Sequence, residues 1–356
     1  MKTKNLLFYF LLLPFCSQAQ IDIDAVDAIV QQAVHTQFFE GTILIADQGE
    51  VVYHKAFGYK DAAQKEAIQL DTHFGLASIT KMVTAIVVLQ LVEEGKVRLE
   101  DHMATLFPEL TIPKAKKITV HHLLLHISGL PNERDLIYRS PRTPYEFVDQ
   151  TLQKGIKNKT FGKFNYANID YVLLGLLIES IEQKPWQEVV QARVIDKLGL
   201  TQTGFLAKDA YPENFAYTFS YGKGDKRKSD RAFHIENFYA AGCMYGTAED
   251  LLKLAQAMYG TILLSEESKN LMFTSYPEYS YTGYSVWTYK YPFVDTQPLI
   301  MERRGGIMGS NSVLVRLLDT NQALIILSNN DKFNPDSFGD KDNLREALIR
   351  VIATGN

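Results

Sequence analysis

The sequence predicts an α/β protein with a helical lobe inserted into it. Three observations carry the prediction. β-rich runs lie near both ends of the chain, at GTILIADQGEVVYHKAFGY and again at NSVLVRLLD and ALIILSNN. The stretch between, from about 100 to 240, is helix-rich, with loops punctuated by Pro131, Pro141 and Pro144. The chain then closes on a helix-like DNLREALIRVIA.

Taken in order, residues 1–19 carry Lys2 and Lys4, a mostly apolar run from Leu6 to Cys16, and then Ser17-Gln18-Ala19. This three-part pattern predicts an export signal cleaved after Ala19, and so a periplasmic or secreted protein. Pro14-Phe15 is bulky where a lipoprotein signal at Cys16 would need small residues. The run is too short to span a bilayer and no later run is long enough, so no stable membrane insertion is expected after cleavage. Residues 24–36 place Val26, Ile29, Val30 and Val34 at helical spacing. The β-rich runs around Asp47-Gln48-Gly49 read as a hairpin. From Ile79 to Glu94 the chain is strongly apolar and meets Gly95, a helix with a C-terminal stop. The charged run KGDKRKSDR (223–231) reads as a solvated loop. With no repeat or low-complexity linker, one composite domain is expected over 20–356. Its α/β lobe runs from about 20–77 and 245–356, and its helical lobe over about 78–244.

Composition narrows the function. The chain has 356 residues, 46% apolar and 22% charged, close to the globular norm. Formal net charge is −4, and removing the signal takes away two lysines and no acids, giving −6. That balance argues against a nucleic-acid partner. Cys243 would be the only cysteine left, which excludes an intramolecular disulfide; among small and apolar neighbours it reads as a buried, inert thiol.

The chemistry is approached by elimination and then by motif. There is no G-x-S-x-G elbow, Walker loop or G-x-G-x-x-G. His122 and His126 are four apart, but HHLLLHISGLP lacks the glutamate of H-E-x-x-H and any evident third ligand, so no metal or other cofactor is expected. The strongest local signal is Ser78-Ile79-Thr80-Lys81, opening an apolar helix. At i and i+3 the serine and lysine share a face of the first turn. The helix N-terminus favours negative charge and disfavours an ammonium, which suits a serine nucleophile beside a proton-accepting lysine. Ser220-Tyr221-Gly222-Lys223 has the same spacing but leads into the charged run. Taken alone, Ser78 fits a helix cap equally well. Tyr166-Ala167-Asn168 lies where a loop enters another apolar helix. A tyrosine near a lysine ionises more easily, and Asn168 offers an amide to a substrate amide; taken alone, the segment reads better as an aromatic pinned at a helix start with Asn168 as a cap. Arg303-Arg304-Gly305-Gly306 precedes a β-like run; a cation there suits a carboxylate, and the glycines allow close backbone approach, although taken alone the motif reads better as a glycine-rich turn with two solvated arginines.

In this order the three elements resemble the serine β-lactamase and penicillin-binding-protein superfamily, nearest to class C β-lactamases, their D,D-peptidase relatives and related esterases. FGLASITKMVTAIVVLQLVEEGKVRLED is similar to the family's nucleophile helix, ITVHHLLLHISGLP to its next landmark, and FNYANIDYVLLGLLIE to its Y-x-N segment. AAGCMYGTAEDLLKLAQAM is similar to a later helix start. The resemblance implies a β-lactamase-like fold, an antiparallel sheet flanked by helices with an inserted helical lobe. It implies that Ser78 attacks a carbonyl with Lys81 and Tyr166 as its aids, and that Tyr166 passes a proton to the leaving group. The amides of Ser78 and Gly306 would form the oxyanion hole, and Asn168, Arg303, Gly305 and Gly306 would bind substrate. Arg303 stands where the family has lysine or histidine, and Met308 where proline is common. Arginine keeps the charge for a carboxylate but does not readily give up a proton. Lys197-Leu198-Gly199 fits K-x-G more literally, but it reads as a helix end.

The expectation is an exported serine hydrolase acting on a small-molecule or peptide substrate: a D-amino-acid peptide, a β-lactam or an ester. The alternative is a catalytically inactive member of the same family that binds cell-wall peptide or a partner.

Overall fold

The computed structural model describes residues 20–152 and 160–355. The predicted export signal, residues 1–19, lies outside the described residues. The centre is a six-stranded sheet in which every neighbouring pair is antiparallel. Its strands are β1 (Gly41–Asp47), β2 (Glu50–Phe57), β3 (Trp287–Lys290), β4 (Leu299–Ile307), β5 (Ser310–Leu317) and β6 (Gln322–Ser328). Their spatial order is β2-β1-β6-β5-β4-β3. Pairing of β1 with β6, from Gly41↔Ser328 to Ala46↔Ala323, joins the two ends of the chain.

The predicted hairpin forms at the predicted turn. Asp47 pairs with Glu50, and Gln48 and Gly49 have φ of 51° and 85°. Two positive φ values are what a two-residue turn needs to match strand twist.

Both faces of the central strands β1, β5 and β6 are buried, which is why they read as largely continuous apolar runs, whereas the edge strand β2 is mostly exposed. Ile43, Ile45, Val313, Val315, Leu324 and Ile326 face helices α1 (Ile23–Thr36) and α5 (Leu344–Thr354). Leu44, Leu314, Ile325 and Leu327 face the larger core built on α2 (Thr80–Glu93), α3 (Asn168–Glu182) and α4 (Ala248–Ala257). A one-residue slip of register would exchange these two sets.

Helix α2 carries the most constrained sequence. Every residue from Thr80 to Leu91 is buried, so no polar face is needed. Each Leu, Ile or Val enclosed there contributes about 1.5–3 kcal/mol. The helix start is therefore positioned by the core, and Gly95, at φ 67°, ends it as expected. Among the described residues no helix is long and apolar enough to cross a membrane.

Two local readings change. Residues 223–231 are not merely a solvated loop: Arg227–Ser229 pairs with Phe219–Tyr221 as a second hairpin. Arg227 reaches Glu40 at 2.6 Å and lies over the Tyr59, Phe219 and Tyr221 rings. Asp230 accepts from the Gly309 amide at 2.8 Å. A charge run gives no sign of such distant partners. His122 and His126 also part company. The helix ends at Leu124 and His126 turns to φ 56°. His122 lies 2.7 Å from Thr119 Oγ1, while His126 is buried against Asp170.

Candidate active site

Ser78 sits in the 3-10 turn Ala77–Ile79 that leads into α2. Ala77 holds φ 47°, in the left-handed region that an alanine rarely occupies. Such a conformation costs on the order of 1–3 kcal/mol and persists only where surroundings over-determine it. Here the Leu76 amide donates to Met244 at 2.8 Å, and Gly305 of β4 presses on the turn from the other side. A Cβ at Gly305 would lie 2.5 Å from Leu76 O and 2.8 Å from Ser78 N. Only glycine allows this approach.

Lys81 lies one turn further on and is fully buried. Its Nζ donates to Ser78 Oγ at 3.0 Å, Asn168 Oδ1 at 2.7 Å and the Ala241 carbonyl at 2.7 Å. These three acceptors match the three protons of an ammonium. Burial holds the amine below its usual pKa, with Tyr166 opposing that shift.

Tyr166 donates to Ser78 Oγ at 2.8 Å and in turn accepts from Arg303 Nη2 at 2.9 Å. Burial raises the pKa of the phenol, but the Arg303 and Lys81 charges outweigh it and bring it down to about 8. Asn132 holds the loop on both sides of Ala167: its Nδ2 donates to Tyr166 O at 2.7 Å and its Oδ1 accepts from Asn168 N at 2.9 Å.

Arg303 and Arg304 point to opposite faces of β4. Arg303, opposite Leu314, is 1% exposed. Its Nε donates to the Ser78 carbonyl at 2.7 Å. Arg304, opposite Val313, lies over Trp287 and reaches Asp336 at 2.7 Å. A cavity of about 350 Å³ is lined by Ser78, Tyr166, Trp287, Arg304, Gly306 and Asn334, among others.

The strand also supplies an amide. Ile307 and Ser310 close the two-residue turn Met308-Gly309, and such a closing pair exchanges both of its hydrogen bonds. By alternation Gly305 directs its N–H toward β5 and Gly306 directs its own away. Strand β3 pairs with β4 only as far as Glu302, so that edge is open beside Ser78. The arrangement can therefore offer Ser78 N and Gly306 N to one developing negative charge.

All seven residues singled out from sequence thus lie on the turn, the first turn of α2, the entry to α3 and strand β4, around Ser78 itself. Asn168 is engaged differently from expectation: its amide is taken by Lys81 and, at 2.9 Å, by Glu133 Oε1. Glu133 was not predicted, because no motif contains it. A second missed group lies beneath Tyr166. The His126 ring is 4.3 Å from the tyrosine ring, centroid to centroid. Its Nδ1 is 2.9 Å from Asp170 Oδ2 and accepts from Ala167 N at 3.3 Å. Ser128 donates to Asp170 Oδ1 at 2.5 Å. Burial drives the pair neutral, with Asp170 well above the carboxylate range and His126 well below its own, the latter aided by Lys81 and Arg303. Cys243 is buried, its thiol pushed up to about 12 by burial, so it is not a reactive thiolate.

A serine held between a buried amine and an acidic phenol, beside a strand-edge amide directed away from β5, fits a hydrolase of the nucleophilic-serine type. Comparison with known proteins gives the family. A family model described as beta-lactamase matches residues 26–349, and the chain belongs to that family, as a serine hydrolase with a β-lactamase-like fold. A penicillin-binding protein of Bacillus subtilis (strain 168) is 25% identical over 316 residues, covering 83% of this chain and 69% of the relative. Teichoic acid D-alanine hydrolase of Staphylococcus aureus (strain MRSA252) is 25% identical over 284 residues, covering 79% and 68%. The crystal structure of D-amino acid amidase from Ochrobactrum anthropi SV3 complexed with D-phenylalanine superposes with a TM-score of 0.80 at 23% identity, covering 94% of this chain and 99% of that one.

Proposed function

We propose that this chain is an exported serine hydrolase that cleaves an amide or ester bond through an acyl-enzyme on Ser78. The observation that carries the proposal is the convergence of Lys81 Nζ and Tyr166 Oη on Ser78 Oγ, at 3.0 and 2.8 Å. Export rests on the three-part pattern of residues 1–19. The substrate class is a D-amino-acid peptide, a β-lactam or an ester, consistent with the names of the relatives.

In acylation, starting from the Tyr166 phenolate, Ser78 Oγ bonds to the carbonyl carbon and its proton passes to the Tyr166 oxygen, giving the neutral phenol. Lys81, with all three ammonium protons accepted, holds the charge that makes this phenol acidic. The carbonyl oxygen takes up the electron pair between the Ser78 and Gly306 amides. Collapse of this adduct breaks the bond to the leaving group, which takes the proton from Tyr166. Water then attacks the acyl-enzyme, losing its proton to Tyr166 and returning one to Ser78.

The family likeness assigns Arg303 to a substrate carboxylate. Its burial against Ser78 and Tyr166 supports a different role, holding the phenol acidic, and leaves Arg304 as the arginine lining the cleft.

Intact-protein mass spectrometry after exposure to a penicillin and, separately, to a fluorophosphonate tests the reading. A covalent adduct mapping to Ser78 and absent from Ser78→Ala is expected. No adduct with either reagent on folded protein would replace the hydrolase with a binding protein.

A further inference from the structure

One cavity is lined by the nucleophile and a second lies close by along the chain. The smaller holds Ser78, Tyr166 and Arg304. The larger, about 680 Å³, does not include Ser78 in its walls but is lined by Ala77, Ile307 and Ser310, the chain neighbours of Ser78, Gly306 and Asn311 in the smaller one. Tyr166 lines the smaller cavity and is absent from the larger. The next step rests on the hydrolase reading above. A leaving group must depart on the side of its proton donor, so it occupies the Tyr166 cavity. The acyl group then extends the opposite way, into the larger one.

The walls of that larger cavity describe what fits. Tyr211, Phe215 and Tyr217 form one aromatic cluster, with ring centroids 4.9, 5.4 and 5.6 Å apart. Phe233 adds a fourth ring. Edge-to-face and tilted packing of this kind accepts a further ring readily. Charged lining residues balance, with Lys65, Lys208 and Arg231 set against Asp61, Asp209 and Asp230, so no single-sign field selects an ion. The volume falls in the range of small-molecule sites and far exceeds a methyl group.

We propose that the larger cavity is the acyl subsite, and that it takes acyl groups bearing an aromatic or similarly bulky apolar side chain in preference to a methyl-sized one. Two esters with one leaving group isolate this claim: p-nitrophenyl phenylacetate and p-nitrophenyl acetate, each corrected for spontaneous hydrolysis. The phenylacetyl ester is expected to show at least about tenfold higher kcat/KM, as one well-placed hydrophobic group gives. Ala232 is an exposed lining residue, and Ala232→Trp, which fills space without entering the core, is expected to remove most of that ratio. Equal kcat/KM values, with Ser78 still labelled by fluorophosphonate, would overturn the subsite and leave the hydrolase standing. A preference that persists undiminished in folded Ala232→Trp would place the acyl group elsewhere and also overturn it. Loss of both turnover and labelling in folded wild-type protein would remove the hydrolase reading and the subsite together.

Discussion

The two faces of strand β4 treat buried charge in opposite ways. On one face Glu302 meets Arg345 of α5, which also bonds Glu346 at 2.5 Å. Tyr289 accepts from Arg345 at 3.1 Å and Tyr291 donates to Glu346 at 2.7 Å. There an arginine is matched by carboxylates. On the other face, one residue along, Arg303 is equally buried, but among the described residues no carboxylate lies within ion-pair distance of it. It bonds a carbonyl and a phenol instead. The paired face fastens a helix to the sheet. The unpaired face leaves a positive charge whose relief is the ionisation of Tyr166.

The contrast can be broken from either side. The largest effect is expected from Glu302→Ala, which leaves Arg345 with one fewer carboxylate in a fully buried setting. Removing one partner of such a pair costs about 3–5 kcal/mol of unfolding free energy, readable by urea titration. A change under about 1 kcal/mol would mean that the paired face is not the anchor described here.

Arg303→Met comes next. In the proposed mechanism Tyr166 acts as base in its ionised form, so wild-type acylation should rise with pH and level off above about 8. Loss of the Arg303 charge raises the phenol toward its ordinary value. At pH 7 the acylation rate is expected to fall about ten- to a hundredfold, one power of ten for each pKa unit regained. A stopped-flow pH profile with an unshifted midpoint would return Arg303 to substrate binding alone.

The smallest effect on activity is expected from Asp170→Asn. Burial holds this carboxyl well above its unfolded value, so folded Asp170 keeps its proton while unfolded Asp170 loses it above about pH 4. Its contribution to stability is therefore full below that pH and is lost as pH rises toward the folded value. The amide has the same shape and no proton to lose. The variant is expected to keep its acylation profile and to be more stable than wild type at pH 7, by thermal melting. A large loss of activity would show that an ionised Asp170 is needed.

Sequence reading reached the parts of the site that are local. Ser78 and Lys81 are three residues apart on one helix turn, and Tyr166 and Asn168 bracket one helix start, so spacing joins each pair; that the two pairs meet, 88 residues apart, was what the family resemblance implied. What it missed depends on register and on distant chain. Adjacent residues on a strand alternate, but which of Arg303 and Arg304 turns inward follows from the pairing of Leu314 with Arg303. Glu133 and the His126–Asp170 pair become neighbours of the site only through packing of α3. The first hairpin and the long helices were legible because their turn residues and apolar periods are local, whereas the solvated reading of residues 223–231, mostly exposed as expected, missed the second hairpin and the contact of Arg227 with Glu40, which lies far away in sequence.

Gly305 has a consequence beyond permitting close approach. The spacing of the two amides proposed to hold the developing charge is set by an atom that is not there. An added methyl at this position meets Leu76 O, Ser312 Oγ and Ser78 N together, at 2.5, 2.6 and 2.8 Å. It would act as a wedge, parting strand from turn while the serine, lysine and tyrosine, all carried on the other side of the seam, keep their mutual distances. Nucleophile strength and charge stabilisation are thus separable along this one line of contact, and Gly305→Ala is where they would come apart.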